Sequence, residues 1–248
     1  MTLTWPPYRQ SMKPLQHTPR TEFGRHSERG SRDRERLHHI LDAATMCHVG
    51  IVVDDSPLVI PTVYGTGEGD AAETLYLHGS VASRWLTRSG QDTPVCVAVS
   101  LVDAVVLARS VFSHSVNYRS VVIFANARLV TDHDERLAGL RAVTNHVCPG
   151  QWDYARQPTA KELAATTVLA LPLDEATVKV REGGPGEIGP DDAELAVWSG
   201  LMPIHTTFGA LEPDTVTPHD LPIPPRLAGL VGRPVDERHT GKVSARKL

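Results

Sequence analysis

The chain has 248 residues, 41% of them hydrophobic and 22% charged, enough apolar material to bury a core and a length that permits one or two domains. A net charge of −4 provides no broad basic field, so nucleic acid is not an expected partner, and any anion must be held by a local site. The start, Met1-Thr2-Leu3-Thr4-Trp5-Pro6-Pro7, lacks a charged stretch followed by an apolar core, and no apolar run approaches the roughly 20 residues of a membrane span. A soluble, cytoplasmic chain without a membrane partner is therefore expected, with Cys47, Cys96 and Cys148 reduced, since they form no Cys-x-x-Cys pair and two of them lie in apolar runs.

Residues 1–30 carry prolines, arginines, histidines and glycines with few large aliphatics, and read as an arm that drapes over a neighbour or stays mobile. From Ser31 to Ala44, Leu37, Ile40, Leu41 and Ala44 follow the spacing of one helix face, and the cluster Arg32-Asp33-Arg34-Glu35-Arg36 reads as a solvated face. His38-His39 and Asp54-Asp55 read as surface pairs. Apolar runs then follow at Met46 to Val53, Leu58 to Tyr64 and Thr74 to Leu77, separated by short polar turns, which implies antiparallel hairpins. Pro61 cannot donate to a ladder, so it marks a strand edge or a bulge. Pro94 to Leu101, Val102 to Ala108 and Val116 to Val130 supply three more strands. A helix at Asp132 to Val147 and strands at Thr166 to Pro172 and Ala176 to Val180 complete a small barrel of six or more antiparallel strands with covering helices. From Pro203 onward proline is frequent, and this tail reads as an extended wrap over the body or a second subunit.

The stretch Leu75-Tyr76-Leu77-His78-Gly79-Ser80-Val81-Ala82-Ser83-Arg84-Trp85-Leu86 reads as a strand that breaks at Gly79 into a helix capped by Ser80. Free backbone N–H groups and the positive end of a helix dipole suit an anion, and Ser80, Ser83 and Arg84 would face one phosphate. An ordinary capped surface helix has the same residues, and the stretch alone allows both readings. Asp132-His133-Asp134 suits a helix start better than a metal, because residues adjacent there point in different directions. No Gly-x-Gly-x-x-Gly, Walker lysine loop or Gly-x-Ser-x-Gly elbow is present, so nucleophilic catalysis has no support.

Together with Cys47-His48-Val49-Gly50, Pro57-Leu58-Val59-Ile60-Pro61-Thr62-Val63-Tyr64 and Asn117-Tyr118-Arg119-Ser120-Val121-Val122-Ile123-Phe124-Ala125, this stretch resembles the flavin-binding split-barrel family related to pyridoxamine 5'-phosphate oxidase. The resemblance is closest to the nitroimidazole-resistance branch and covers about residues 30 to 182, with a weaker echo at Trp198-Ser199-Gly200 before Pro203. It implies a mainly β protein with a six-stranded antiparallel FMN-binding split barrel at 31–182, flanked by the arm at 1–30 and a proline-rich extension at 183–248. It further implies a homodimer with FMN between the subunits. Ser80, Ser83 and Arg84 would hold the phosphate beside Gly79. Ile60, Pro61 and Thr62 would line the ring, with His78 against cofactor or substrate. Tyr118, Arg119 and Ser120 would reach in from the neighbouring chain, and Trp198 would cover the ring or pack the tail. The cofactor would carry the chemistry, so no acid or base is assigned, and the implied activity is reduction or oxidation of a small organic substrate, in the manner of a nitroreductase. The alternatives are a deazaflavin-dependent reductase of the same fold and a non-catalytic flavin- or haem-binding module. An unrelated reading of Arg119 is a surface ion pair. The Arg-x-His that true pyridoxamine-phosphate oxidases carry near the C-terminus is absent, His205 being no substitute, which disfavours phosphopyridoxal synthesis. Arg84-Trp85 stands where the family usually places a lysine.

Overall fold

The structure, a computed structural model, describes residues 13–83, 91–186 and 189–239. In chain order it contains β1 (Gly30–Ser31), α1 (Arg34–Ala43), β2 (Met46–Val53), β3 (Ser56–Val63), β4 (Gly65–Thr66), β5 (Thr74–Ser80), β6 (Gln91–Leu107) and β7 (Ser115–Leu129). Then come α2 (His133–Val147), α3 (Gln151–Tyr154), α4 (Ala160–Ala164), β8 (Thr166–Pro172), β9 (Ala176–Arg181), α5 (Pro190–Ala193), β10 (Gly200–Pro203) and α6 (Pro225–Ala228). The described strands pair antiparallel along the path β3-β2-β6-β7-β8-β5-β4, with β9 added on β7, β1 on β9 and β10 on β6. The sheet curls into a half-barrel with a few covering helices, a mainly β split barrel.

Alternation along the strands decides the two faces. Cys47, Val49 and Ile51 of β2, Val95, Val97 and Val99 of β6, and Val121 and Ile123 of β7 point inward and pack with Leu37, Ile40 and Leu41 of α1 into one core. On the other face of β5 and β8, Tyr76, Val168 and Ala170 pack with Val143 of α2 and with Val130. The Asp132 carboxylate accepts from the Glu135 backbone N–H at 2.8 Å and so caps α2, which gives the acidic start of that helix a structural duty.

Two local expectations change, and one open alternative resolves. The segments expected as two strands, Pro94 to Leu101 and Val102 to Ala108, form the single strand β6. The register shifts between Val102 and Ala104, a bulge that absorbs the irregularity without a turn. Arg34 and His38 are buried and do not lie on a solvated face. Arg34 Nε donates to the Lys13 carbonyl at 2.8 Å, its Nη atoms pair with Glu73 and Asp174, and His38 Nε2 lies 2.9 Å from Glu73 Oε1. Residues 13–16 cover this side, where Leu15 is itself buried and its N–H donates to the Arg32 carbonyl. Pro61 resolves as the edge alternative, since β3 ends the sheet path and its pairing with β2 runs unbroken from Met46–Val63 to Val53–Ser56.

The segment after β10 returns to the barrel and inserts Arg238 between the C-terminal ends of α1 and α2. The same cluster holds His146 buried, its ring 4.4 Å from that of Tyr64 and its Nε2 2.8 Å from the Ala44 carbonyl. Burial, and then the Arg238 charge, push the His146 imidazole down to about 3. The unfolded chain takes up this proton below about pH 6.5, the native chain only near 3. Stability is therefore expected to be full above pH 6.5 and to fall by about 1.4 kcal/mol per pH unit below it through this one group. Urea unfolding of wild type and His146→Gln across pH 4–7 checks this, the variant being expected to lose that share of the slope.

Candidate cofactor site

Strand β5 runs through Gly79 to Ser80, paired there with Gly79–Thr167 and Ser80–Thr166, so the strand does not break at the glycine. The β-branched run at the start of β8 supplies the partners that keep it extended. Ser80 then closes a tight turn: its Oγ accepts from the Ala82 N–H at 3.2 Å and its carbonyl accepts from the Ser83 N–H at 2.9 Å. Arg84 and the helix expected to follow lie outside the described residues. His78 shares a face with Tyr76 and sits opposite Val168. Its Nδ1 is buried without a hydrogen-bond partner, and burial lowers its pKa, so the imidazole is neutral at pH 7. An unpartnered buried ring nitrogen is costly, and a bound group that meets it would recover that cost. Arg136 of α2, which the sequence did not single out, donates to the Leu163 and Thr166 carbonyls and fixes the β8 end of this turn.

The outward face of β3, β2, β6 and β7 is largely apolar, with His48 exposed in it and the Arg20 guanidinium over the Phe124 ring at 5.2 Å. Pro61, His48, Ala98 and Val122 form one row across four strands, and Val59, Gly50, Cys96 and Phe124 the next. Val52 is 66% exposed and Val59 64%, large values for valines in regular strands. Ile60 faces the opposite way and packs on the core, and Thr62, half-buried, donates its hydroxyl to the Val63 carbonyl at 3.3 Å. Of the three expected ring-lining residues, Pro61 alone therefore presents its side chain to this face. His48, exposed in the middle of it, belongs to the Cys47-His48-Val49-Gly50 motif but was not assigned a site role.

Tyr118 and Ser120 lie on the same outward side of β7, whereas Arg119 points inward and is buried. Arg119 makes a bidentate pair with Asp103, Nη2 to Oδ1 at 2.6 Å and Nε to Oδ2 at 3.0 Å, and reaches Asp236 at 3.3 Å. Asp103 is the extra residue of the β6 bulge, two positions beyond Leu101, which is Arg119's partner in the register. Trp198, 68% exposed, precedes β10 and leans over the Gly200 backbone. The chain does not bring these groups to the Ser80 turn. Val130, whose N–H donates to the Val168 carbonyl beside His78, is a dozen residues from Tyr118, about 40 Å along an extended strand. Among the described residues no cluster of three or more His, Cys, Asp or Glu side chains gathers as a metal site, and no helix is long and apolar enough to cross a membrane.

Comparisons with known proteins bear on this arrangement. The family model for pyridoxamine 5'-phosphate oxidase matches residues 33–180. A search of curated proteins gives no match. Among solved structures, the FAD and haem binding protein from Mycobacterium smegmatis is 33% identical, with a TM-score of 0.77 over 84% of this chain and 98% of its own. The flavocytochrome Anf3 from Azotobacter vinelandii is also 33% identical, with a TM-score of 0.78 over 87% of this chain and 98% of its own. Both likenesses reach well beyond residues 33–180, and the fold is the flavin-binding split barrel. By a family model that matches more than half of its length and by two solved structures alike over almost their whole chains, this chain belongs to the pyridoxamine 5'-phosphate oxidase family.

Proposed function

We propose that the protein is a homodimeric flavin-binding oxidoreductase that also holds haem and acts on a small organic substrate. The observation that carries this is the extent of the likeness to a protein that binds FAD and haem and to a flavocytochrome, each covered over 98% of its length. FAD, the flavin named for the first of these, is accordingly preferred to FMN. The separation of the Ser80 turn from Tyr118 and Ser120 supports the dimer: groups so far apart on one sheet act on one ligand if two copies meet across the apolar outward face.

The residues present fit a flavin. Ser80 and Ser83 offer hydroxyls at the end of β5, Pro61 and Val59 offer an exposed apolar surface, and the neutral His78 has an unpartnered nitrogen. Bound flavin supplies hydride and electron transfer, and haem supplies one-electron chemistry. The chain's own part is to grip the charged end at the Ser80 turn, to exclude water with the β2–β3 face, and to present the His78 ring nitrogen to cofactor or substrate. A Ser80→Ala/Ser83→Ala double variant is expected to bind flavin at least about tenfold more weakly. Titration of stripped protein into flavin, followed by fluorescence quenching, measures this, and an unchanged affinity would move the charged end of the cofactor elsewhere.

A further inference from the structure

Strand β2 carries two residues that its own packing does not account for, and both belong to the outward face. His48 is exposed there and has no hydrogen-bond partner among the described residues. Gly50, two positions on and therefore on the same side of the strand, pairs with Val59 of β3 and Cys96 of β6 in an unbroken register. A Cβ added to Gly50 would meet nothing nearer than the Cys96 carbonyl oxygen at 3.5 Å, an ordinary contact, and the φ of this residue is not positive. Neither backbone conformation nor crowding within the chain requires glycine here. A glycine inside a strand costs stability, and where the fold gives no reason for it, the reason is a ligand or a second backbone that approaches from outside.

The surroundings keep that approach open. Cys96 and Ala98 of β6 are short, and Pro61 lies opposite His48 on β3. At the edge of the face the Arg20 guanidinium over the Phe124 ring supplies a cation. A small apolar surface around one imidazole, with a cation at its rim, matches a flat apolar macrocycle that carries a metal and carboxylates. A flavin ring offers no metal to an imidazole; an iron porphyrin does. Other imidazoles are held elsewhere: His38 by Glu73, His114 by the Ser110 carbonyl and His146 by the Ala44 carbonyl. His78 shares its face with Tyr76, which packs against Val143 of α2.

We propose that His48 is the axial ligand of the haem iron, with the porphyrin over β2 and β6 on the face that meets the second copy. This rests on the proposal that the protein holds haem, and names the residue that holds it. Because Pro61 lies opposite His48, haem then neighbours the surface proposed for flavin. Haem titration into haem-free full-length protein, followed by absorption and by electron paramagnetic resonance of the ferric form, tests it. His48→Ala is expected to bind haem at least about tenfold more weakly, with a shifted Soret band and an altered ferric signal at an unchanged circular dichroism spectrum. Added imidazole is expected to restore the wild-type spectrum. His205→Ala and His219→Ala, exposed histidines of the C-terminal segment, are expected to keep it. A wild-type spectrum and affinity in His48→Ala, or their loss in His205→Ala or His219→Ala instead, overturns the assignment and leaves haem binding standing. Wild-type protein that takes up no haem removes the haem reading and the assignment with it. Gly50→Leu is expected to weaken haem about tenfold or more. If that variant becomes a monomer and still binds haem as wild type does, the glycine serves contact between copies and the placement of the porphyrin is overturned.

Discussion

Arg238→Ala is expected to destabilise the protein by about 3–5 kcal/mol, among the largest effects of any single substitution. The guanidinium donates to the carbonyls of Ala43 at 2.9 Å, Ala44 at 2.7 Å, His146 at 2.7 Å and Val235 at 3.0 Å. Three of these belong to the ends of α1 and α2, where helices leave carbonyls without an internal partner and the dipole is negative. One cation thus closes two helices and ties the C-terminal segment to both. Truncation takes this donor from the buried Ala43 carbonyl and the charge from both helix ends, while the Ala44 carbonyl keeps the Tyr64 hydroxyl and the Val235 carbonyl keeps the backbone N–H of residue 238. For a chain of this size the loss corresponds to a fall in Tm of roughly 6–20 °C. Arg238→Lys keeps the charge without the planar fork and is expected to lose about half as much. Thermal unfolding of the three proteins side by side, with limited proteolysis of the C-terminal segment, measures both effects; a loss under about 1 kcal/mol for alanine would mean that the segment is not integral to the fold.

Gly65→Ala is the second large effect. β4 crosses directly under α2, and a Cβ at Gly65 would sit against the backbone of Ala142 and Val143 at a separation that real Cβ atoms essentially never show. A side chain could rotate away, but a helix backbone cannot, so α2 must lift from Tyr76, Val168 and Ala170. The expected cost is about 3 kcal/mol or more, at the upper end for overpacking, read as a fall in the urea midpoint. Gly209→Ala, where nothing lies within 4 Å of the added carbon, is the control and is expected to change stability by less than about 0.5 kcal/mol.

Strands were the most legible part of the sequence because their signal is local. Met46–Val53 and Thr166–Pro172 follow from β-branched runs bounded by turn residues, and both occur with those limits. The β6 bulge was hidden because Asp103 interrupts an apolar run as a turn residue would. Only the register against β7, which places it by Arg119, shows that the interruption is a partner and no turn. Arg34 and His38 looked solvated for the same kind of reason: Glu73 and Asp174, which satisfy them, are distant in sequence. At the candidate site, His78 and Ser80 were visible as a short motif. Arg136 was not, since the Leu163 and Thr166 carbonyls it holds lie 27 and 30 residues further along the chain.

As proposed, two copies of this chain enclose flavin and haem. The absorption spectrum of the protein as purified, recorded across its peak on a size-exclusion column with light scattering, tests it most directly. A flavin band and a Soret band are expected in one peak of twice the 27.0 kDa chain mass, with FAD released on heating. A colourless peak at the mass of a single chain, which takes up neither cofactor when both are supplied, would contradict it.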